Sequence, residues 1–259
     1  MKAKGTRVLL GLLPVACCLV PCVVAAQRGA PAPPPAGRVG APFDLTGQWV
    51  ALVTNEWQWR MLTPPKGVYD VIPMTPDARK IADSWDPGRD DAAGLQCKAY
   101  GAPVIMQVPA RFRISWTDDR TLRMESDNGR QVRLFRFGRP EPPSGSPTWQ
   151  GHSVAQWQPA RNQAREVNVE PRPTRTGTLK VVTTHLRPGY LRKNGVPYSD
   201  ATTVTEYFTP FAGPGDTEYF NVTVVVDDPR YLNDVYVRSM QFRKESDTSR
   251  WNPQPCTSR

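Results

Sequence analysis

The sequence predicts a mainly β protein: an antiparallel meander of about eight to ten strands closing into a barrel, with one short helix near residues 76–85. Three observations carry this. Proline supplies 28 of the 259 residues. Each one removes a backbone donor and clashes with the preceding turn, so long helices and helical bundles are excluded. Alternation of apolar and polar residues with period two recurs along the chain, as in Phe112, Ile114 and Trp116. Turn signals, of which Asp127-Asn128-Gly129 is the strongest, separate these runs. Closure into a barrel removes exposed strand edges. A two-layer β-sandwich satisfies the same pattern and is the alternative.

The first strand is expected where Gln48, Val50 and Leu52 alternate with Trp49, Ala51 and Val53. Thr75-Pro76-Asp77 reads as an N-cap, a proline in the first turn and an early acid, so the helix starts there and stops before Asp86-Pro87-Gly88. From Val104 the chain becomes strand-like. A turn at Asp118-Asp119-Arg120 leads to Leu122 and Met124, and the Asn128-Gly129 hairpin leads to Val132, Leu134, Phe135 and Phe137. Residues 138–148 and 161–178 are proline-rich loops around a strand from Trp149 to Trp157. Leu179–Leu186, Thr202–Phe208, Glu218–Val226 and Val235–Arg243 are four further strands, with a long connection from Arg187 to Asp200. Short connections between successive strands predict antiparallel neighbours.

Residues 1–26 have the layout of a secretory signal peptide: Lys2, Lys4 and Arg7, then an apolar run from Val8, then Val24-Ala25-Ala26 as a cleavage site. A retained membrane anchor and lipidation at Cys17 are the rival readings. Residues 27–42, rich in Ala, Pro and Gly, read as a flexible leader, and residues 43–259 as one domain with a C-terminal tail. This domain contains no stretch long and apolar enough to span a bilayer. The expected location is the periplasm or the extracellular space.

Removing the signal would take three basic residues from the formal charge of +9. The remaining basic residues are interspersed with acids, which argues against specific nucleic-acid binding. Cys17, Cys18 and Cys22 would leave with the signal. Cys97 and Cys256 remain, and in an oxidising compartment they are expected to form a disulfide that holds the tail to the body. Neither sits in a redox or zinc spacing.

Asp44-Leu45-Thr46-Gly47-Gln48-Trp49 resembles the Gly-x-Trp first strand of lipocalin-type barrels. A longer pattern runs from Val181 through Gly195-Val196-Pro197-Tyr198-Ser199-Asp200, then Thr205-Glu206-Tyr207-Phe208, then Asp227-Asp228-Pro229. This order of strand, Gly-x-Pro-x-Ser-Asp loop, Glu-bearing strand and Asp-Asp-Pro turn resembles a group of secreted bacterial proteins of unknown function. The resemblance implies a lipocalin-like barrel outside the cytoplasm and supplies no catalytic residue.

No Gly-x-Ser-x-Gly elbow, phosphate loop or dinucleotide fingerprint is present, so no cofactor is expected. His152 and His185 are the only histidines, which excludes a multi-histidine metal site, and no metal is expected. His185 shares a period-two face with Leu179, Val181 and Thr183, and is a candidate for proton transfer. Glu206 lies between Val204 and Phe208 on one face and needs a partner if buried; Arg238, with Tyr236, Met240 and Phe242, is the candidate. Trp57, Trp59, Arg60 and Tyr100 form an aromatic and cationic group suited to a ligand pocket, or to plugging a small barrel. The basic, tyrosine-rich connection with Tyr190 reads as a lid or binding loop, or as a packed surface loop.

The function expected from these features is binding of a small, largely apolar molecule by an exported barrel. The rivals are a cofactor-independent isomerase, hydratase or lyase using His185 and Glu206, and an envelope interaction protein whose barrel is filled by side chains.

Overall fold

The computed structural model describes residues 37–138, 141–159 and 177–259. Residues 1–26, expected to be a signal peptide, residues 27–36 of the expected leader and nearly all of the 161–178 connection lie outside the described residues. Among the described residues, nine strands close into a barrel in the order β1 (Gly47–Leu52), β2 (Arg111–Asp118), β3 (Thr121–Ser126), β4 (Val132–Phe137), β5 (His152–Pro159), β6 (Gly177–Thr184), β9 (Thr203–Ala212), β10 (Glu218–Asp227) and β11 (Tyr236–Glu245). β11 returns to pair with β1, placing Gln48 opposite Glu245. The strands left out of the barrel, β7 (Gly189–Arg192) and β8 (Val196–Tyr198), form a separate hairpin.

The pairing is antiparallel everywhere except β4 and β5, which run parallel with Phe135 opposite Ser153. This corrects the expected pure meander, and simple parity explains it. An odd number of strands cannot alternate direction all the way round a closed ring. Residues 141–151 run back along the outside of the barrel and supply the parallel step.

Inward and outward residues alternate as the sequence predicts. Leu179, Val181 and Thr183 of β6 point in, as do Val204, Glu206 and Phe208 of β9. Aromatic rings fill the interior. Phe220 sits 4.7 Å from Phe242 and 4.8 Å from Trp49, centroid to centroid, and Phe135 lies 5.6 Å from Phe208. Such tilted and offset contacts occupy the space a lipocalin-type barrel would leave for a ligand.

One end of the barrel is closed by residues 37–46. Arg38 donates its backbone N–H to Asp119, the Trp157 indole donates to the Gly37 carbonyl at 2.7 Å, and Phe43 meets the Trp157 ring edge-on. The leader is therefore fastened from Gly37 onward, six residues before Phe43, where order was expected to begin.

The other end carries a cap built from residues 53–110, the β7–β8 hairpin and the C-terminal tail. Helix α1 spans Trp57–Met61, α2 Pro76–Asp83 and α3 Pro87–Ala92. α2 begins as its sequence predicts, with the Thr75 hydroxyl accepting from the Ala78 N–H. Asp86-Pro87-Gly88, read as a stop, also starts α3: the Asp86 carboxylate accepts from Gly88 and Pro87 occupies the first turn. Ile105–Gln107 is a tight helical turn, so the strand predicted from Val104 begins only at Arg111. The connection after Arg187 is the β7–β8 hairpin, packed against the cap rather than free as a lid. Gly195 at its turn has φ of +87°, and a Cβ there would collide with the Trp85 ring, which explains the Asn194-Gly195 pair.

A candidate binding cleft in the cap

Helix α1, the segment Val104–Pro109, the β3–β4 turn and the end of β7 enclose a cleft of about 320 Å³. Trp59, Met61, Val104, Val108, Pro109 and Leu191 give it apolar walls. Arg60, Gln107, Arg192 and Lys193 bring donors to it, and Glu56 brings the acid.

Arg60 is held by backbone and side-chain acceptors. Its Nε donates to the Gln107 carbonyl at 2.9 Å, and its Nη1 donates to the Leu52 carbonyl at 3.1 Å and to Asn55 Oδ1 at 3.2 Å. Its Nη2 is shielded from solvent and has no hydrogen-bond partner among the described residues, and the same holds for Gln107 Nε2. Burial pulls the Arg60 guanidinium below arginine's ordinary pKa, an effect Glu56 partly offsets. Two buried donors on one wall lacking an acceptor is a costly arrangement, of the sort that marks a place for an outside acceptor.

The other charges give the cleft its sign. Glu56 is engaged by Arg238, Nε to Oε2 at 3.0 Å. Arg192 is buried, its guanidinium donating to the carbonyls of Val68 and Asp70 at 3.4 and 3.3 Å and lying 5.7 Å from the Trp59 ring. Lys193 donates to the Tyr100 hydroxyl at 2.8 Å, to Thr257 Oγ1 at 3.1 Å and to the Arg259 carbonyl at 3.2 Å. Arg60, Arg192 and Lys193 thus face a cleft whose acid is already neutralised.

Burial alone would raise the Tyr100 phenol, but the hydrogen bonds from Lys193 and Thr257 outweigh it, and the phenol ends below its ordinary value.

The sequence-selected residues separate into two groups. Trp59 and Arg60 line the cleft; Arg238 reaches it through Glu56, and Tyr100 through Lys193. Trp57 and Tyr190 stay outside. Trp57 is 56% exposed and does not line the cleft. Tyr190 donates to Asp90 at 2.9 Å and accepts from Lys98 at 3.2 Å, closing a triad with the 2.7 Å Lys98–Asp90 ion pair; burial, the largest cause, raises its phenol.

Glu206 is fully buried in the barrel, and its partner is Arg133 rather than Arg238. The guanidinium grips both carboxylate oxygens, at 2.8 and 2.5 Å, and Nη2 also donates to Thr183 Oγ1, itself 2.7 Å from Ser153 Oγ. Arg238 has the expected inward parity but sits at the rim, where Glu56 meets it.

His185 does not continue the inward face of β6. The strand ends at Thr184, and His185 takes a left-handed φ of 57°, turning its ring outward to the Gly145 carbonyl at 3.0 Å. Period two holds only while the backbone stays extended. His185 and Glu206 therefore engage different partners on different sides of the barrel wall.

Cys97 and Cys256 form a disulfide that joins the cap to the tail. Gln107 and Lys193, outside the initial set of site residues, are the important additions. Gln107 was visible as the lone long polar side chain in the apolar run Val104–Ala110; Lys193 lay in the basic connection without a signal separating it from Arg192. No protein-family model, curated protein or solved structure matches this chain.

Proposed function

We propose that the protein is exported and binds a small molecule with an apolar body and an acidic head in the cap cleft. The observation that carries this reading is the pair of buried donors, Arg60 Nη2 and Gln107 Nε2, that have no partner among the described residues and belong to side chains lining a cleft with apolar walls. A carboxylate entering the cleft is the acceptor these donors lack, and it reaches them when the Arg60 and Gln107 side chains turn toward the opening. Arg192 and Lys193 add attraction for an anion, and Trp59, Val108 and Leu191 give the apolar body a surface. The cleft volume of about 320 Å³ fits a compact ligand. The packed aromatic rings of the barrel interior favour this site over the barrel lumen. The Cys97–Cys256 disulfide and the composition of residues 1–26 support export.

Native mass spectrometry of protein purified from its host tests the reading directly. The expected result is a reproducible adduct lost on activation, absent from Arg60→Met. Thermal-shift measurements with decanoate and naphthoate are the second arm, with stabilisation expected in the wild type and not in Arg60→Met. A bare chain together with no stabilisation by either carboxylate overturns it.

A further inference from the structure

A second cleft, of about 440 Å³, lies on the outside of the barrel beneath the strap of residues 141–151. The strap is what the parallel β4–β5 step requires, and it is fastened at two points. Thr148 bridges to Leu186 and accepts the Arg187 N–H at 2.8 Å, while the Gly145 carbonyl meets the His185 ring at 3.0 Å. The floor of the cleft is the outward face of β4 and β5. Arg136 stands directly opposite Thr121 on β3, and His152 opposite Thr184 on β6. Arg120, at the β2–β3 turn, completes the basic side.

The charge pattern is lopsided. Arg120, Arg136, His152 and His185 face the cleft, with Glu141 of the strap as the acid. Among the described residues neither Arg120 nor Arg136 has a carboxylate within ion-pair distance, and the side-chain contact of Arg136 is a 3.4 Å bond to the Leu134 carbonyl. Arg187 turns away onto the Trp149 ring. Ser144, Ser146 and Thr148 line the strap side with hydroxyls. Two forked cations, two imidazoles and a set of hydroxyl donors converging on one polar cleft match the donor demand of a tetrahedral oxyanion.

We propose that this cleft binds a multiply charged oxyanion of the phosphate or sulfate class, with Arg136 and Arg120 as its cations and the imidazoles of His152 and His185 beside them. The His152 imidazole supports the assignment. Desolvation, then the positive charges of Arg136 and His185, hold it below the ordinary histidine value. A bound anion reverses the charge contribution, so anion binding takes up protons and the affinity falls as pH rises through the histidine range. Glu141 works in the opposite sense, and its removal strengthens the site.

Sulfate is the first probe, because it keeps its charge across this pH range and any pH dependence then belongs to the protein. Calorimetric titration of the purified protein is expected to give saturable binding that is stronger at about pH 5.5 than at about pH 7.5. Arg136→Gln is expected to lose roughly tenfold in affinity, the cost of a charge-assisted hydrogen bond. His152→Gln is expected to bind weakly and with a flatter pH profile. Ring-proton NMR of His152 in the unmutated chain provides a readout independent of folding, with His152 titrating at higher pH when sulfate is present. Glycerol phosphate and vesicles of phosphatidic acid in phosphatidylcholine separate a soluble ester from a lipid headgroup, since either one alone keeps the oxyanion assignment. An unmoved His152 titration with no heat from sulfate or glycerol phosphate and no vesicle retention overturns it, as does wild-type affinity in Arg136→Gln.

Discussion

Asp228 is fastened to Ser199, and through that pair two separate connections of the chain become one knot. The buried carboxylate accepts the Ser199 N–H at 2.6 Å and its hydroxyl at 3.0 Å, then the Thr202 hydroxyl at 2.7 Å and the N–H groups of Arg230 and Tyr231 at 2.9 and 3.0 Å. The Ser-Asp loop after β8 and the Asp-Asp-Pro turn after β10, two features that stood apart in the sequence, are the two halves of this contact. Ser199 and Thr202 lead into β9, and Asp228 leaves β10, so the knot closes the β9–β10 hairpin at the cap end and holds β8 beside it.

Asp228→Asn is expected to cost about 3 kcal/mol at neutral pH, because an amide places a donor among five donors and removes the charge they were arranged around. Burial, the largest influence on this carboxyl, would raise its pKa, but the hydrogen bonds from the Ser199, Arg230 and Tyr231 N–H groups and the Thr202 hydroxyl outweigh it and the pKa lies below the ordinary aspartate value. The carboxylate's contribution is therefore complete above the unfolded-state value near about pH 4 and is lost as pH falls through the lower folded value. Urea unfolding from neutral pH down to about pH 2 should show the stability gap between the two proteins closing at the acid end. A gap that persists unchanged would mean the carboxylate's charge is not what the knot uses.

The Arg133–Glu206 pair in the barrel leads to a second expectation. Glu206→Gln leaves a buried guanidinium without its counter-charge and should destabilise by about 3–5 kcal/mol, whereas the apolar double change Arg133→Met with Glu206→Leu should lie much closer to the wild type. Denaturant midpoints for the three proteins decide the matter. If the double variant is as unstable as the single one, the pair is worth more than its desolvation penalty, and a role in directing the fold follows.

Much of the barrel was legible because its signals are local. Alternation at Leu179, Val181 and Thr183 fixes a face wherever the strand stays extended, and Asn128-Gly129 announces its own turn. What escaped depended on contacts distant in sequence or on one dihedral angle. The left-handed backbone at His185 cancels the parity that placed its ring inside. The parallel β4–β5 step follows from the closed strand count, which no single segment encodes. In the cap, Thr75-Pro76-Asp77 announced α2, whereas α1 and α3 escaped because they are five and six residues long and take their stability from packing rather than from periodicity. The cleft suffered in the same way. Trp59 and Arg60 were marked by type, but Gln107 joins them only through the fold of the cap.

Lys193→Met is expected to raise the Tyr100 phenol pKa. The lysine's hydrogen bond and charge hold that phenol down against burial, so with the lysine gone burial prevails. Carbon NMR on ring-labelled tyrosine, titrated through the alkaline range, reads the shift. An unmoved Tyr100 would assign its lowering to Thr257 instead.

The disulfide binds the tail to surfaces that also shape the cleft, so its loss should be felt there as well as in global stability. Gln254 donates its N–H to the Asp127 carbonyl at 2.8 Å and accepts the Gly129 N–H at 3.0 Å, on either side of Asn128, which lines the cleft. Thr257 accepts from Lys193, which lines it too. Cys97–Cys256 closes a loop with a sequence separation of 159 residues. Replacing both cysteines with serine should cost up to about 5 kcal/mol through the freedom regained by the unfolded chain. The backbone bonds at Gln254 do not depend on the sulfurs, so the tail is expected to detach in part rather than wholly. Limited trypsin digestion should cut after Arg250 readily in the double serine variant and slowly in the oxidised protein, and the stabilisation by decanoate should shrink in parallel. Equal cutting in both would mean that the hydrogen bonds alone hold the tail, and the cleft should then be indifferent to the redox state of the chain.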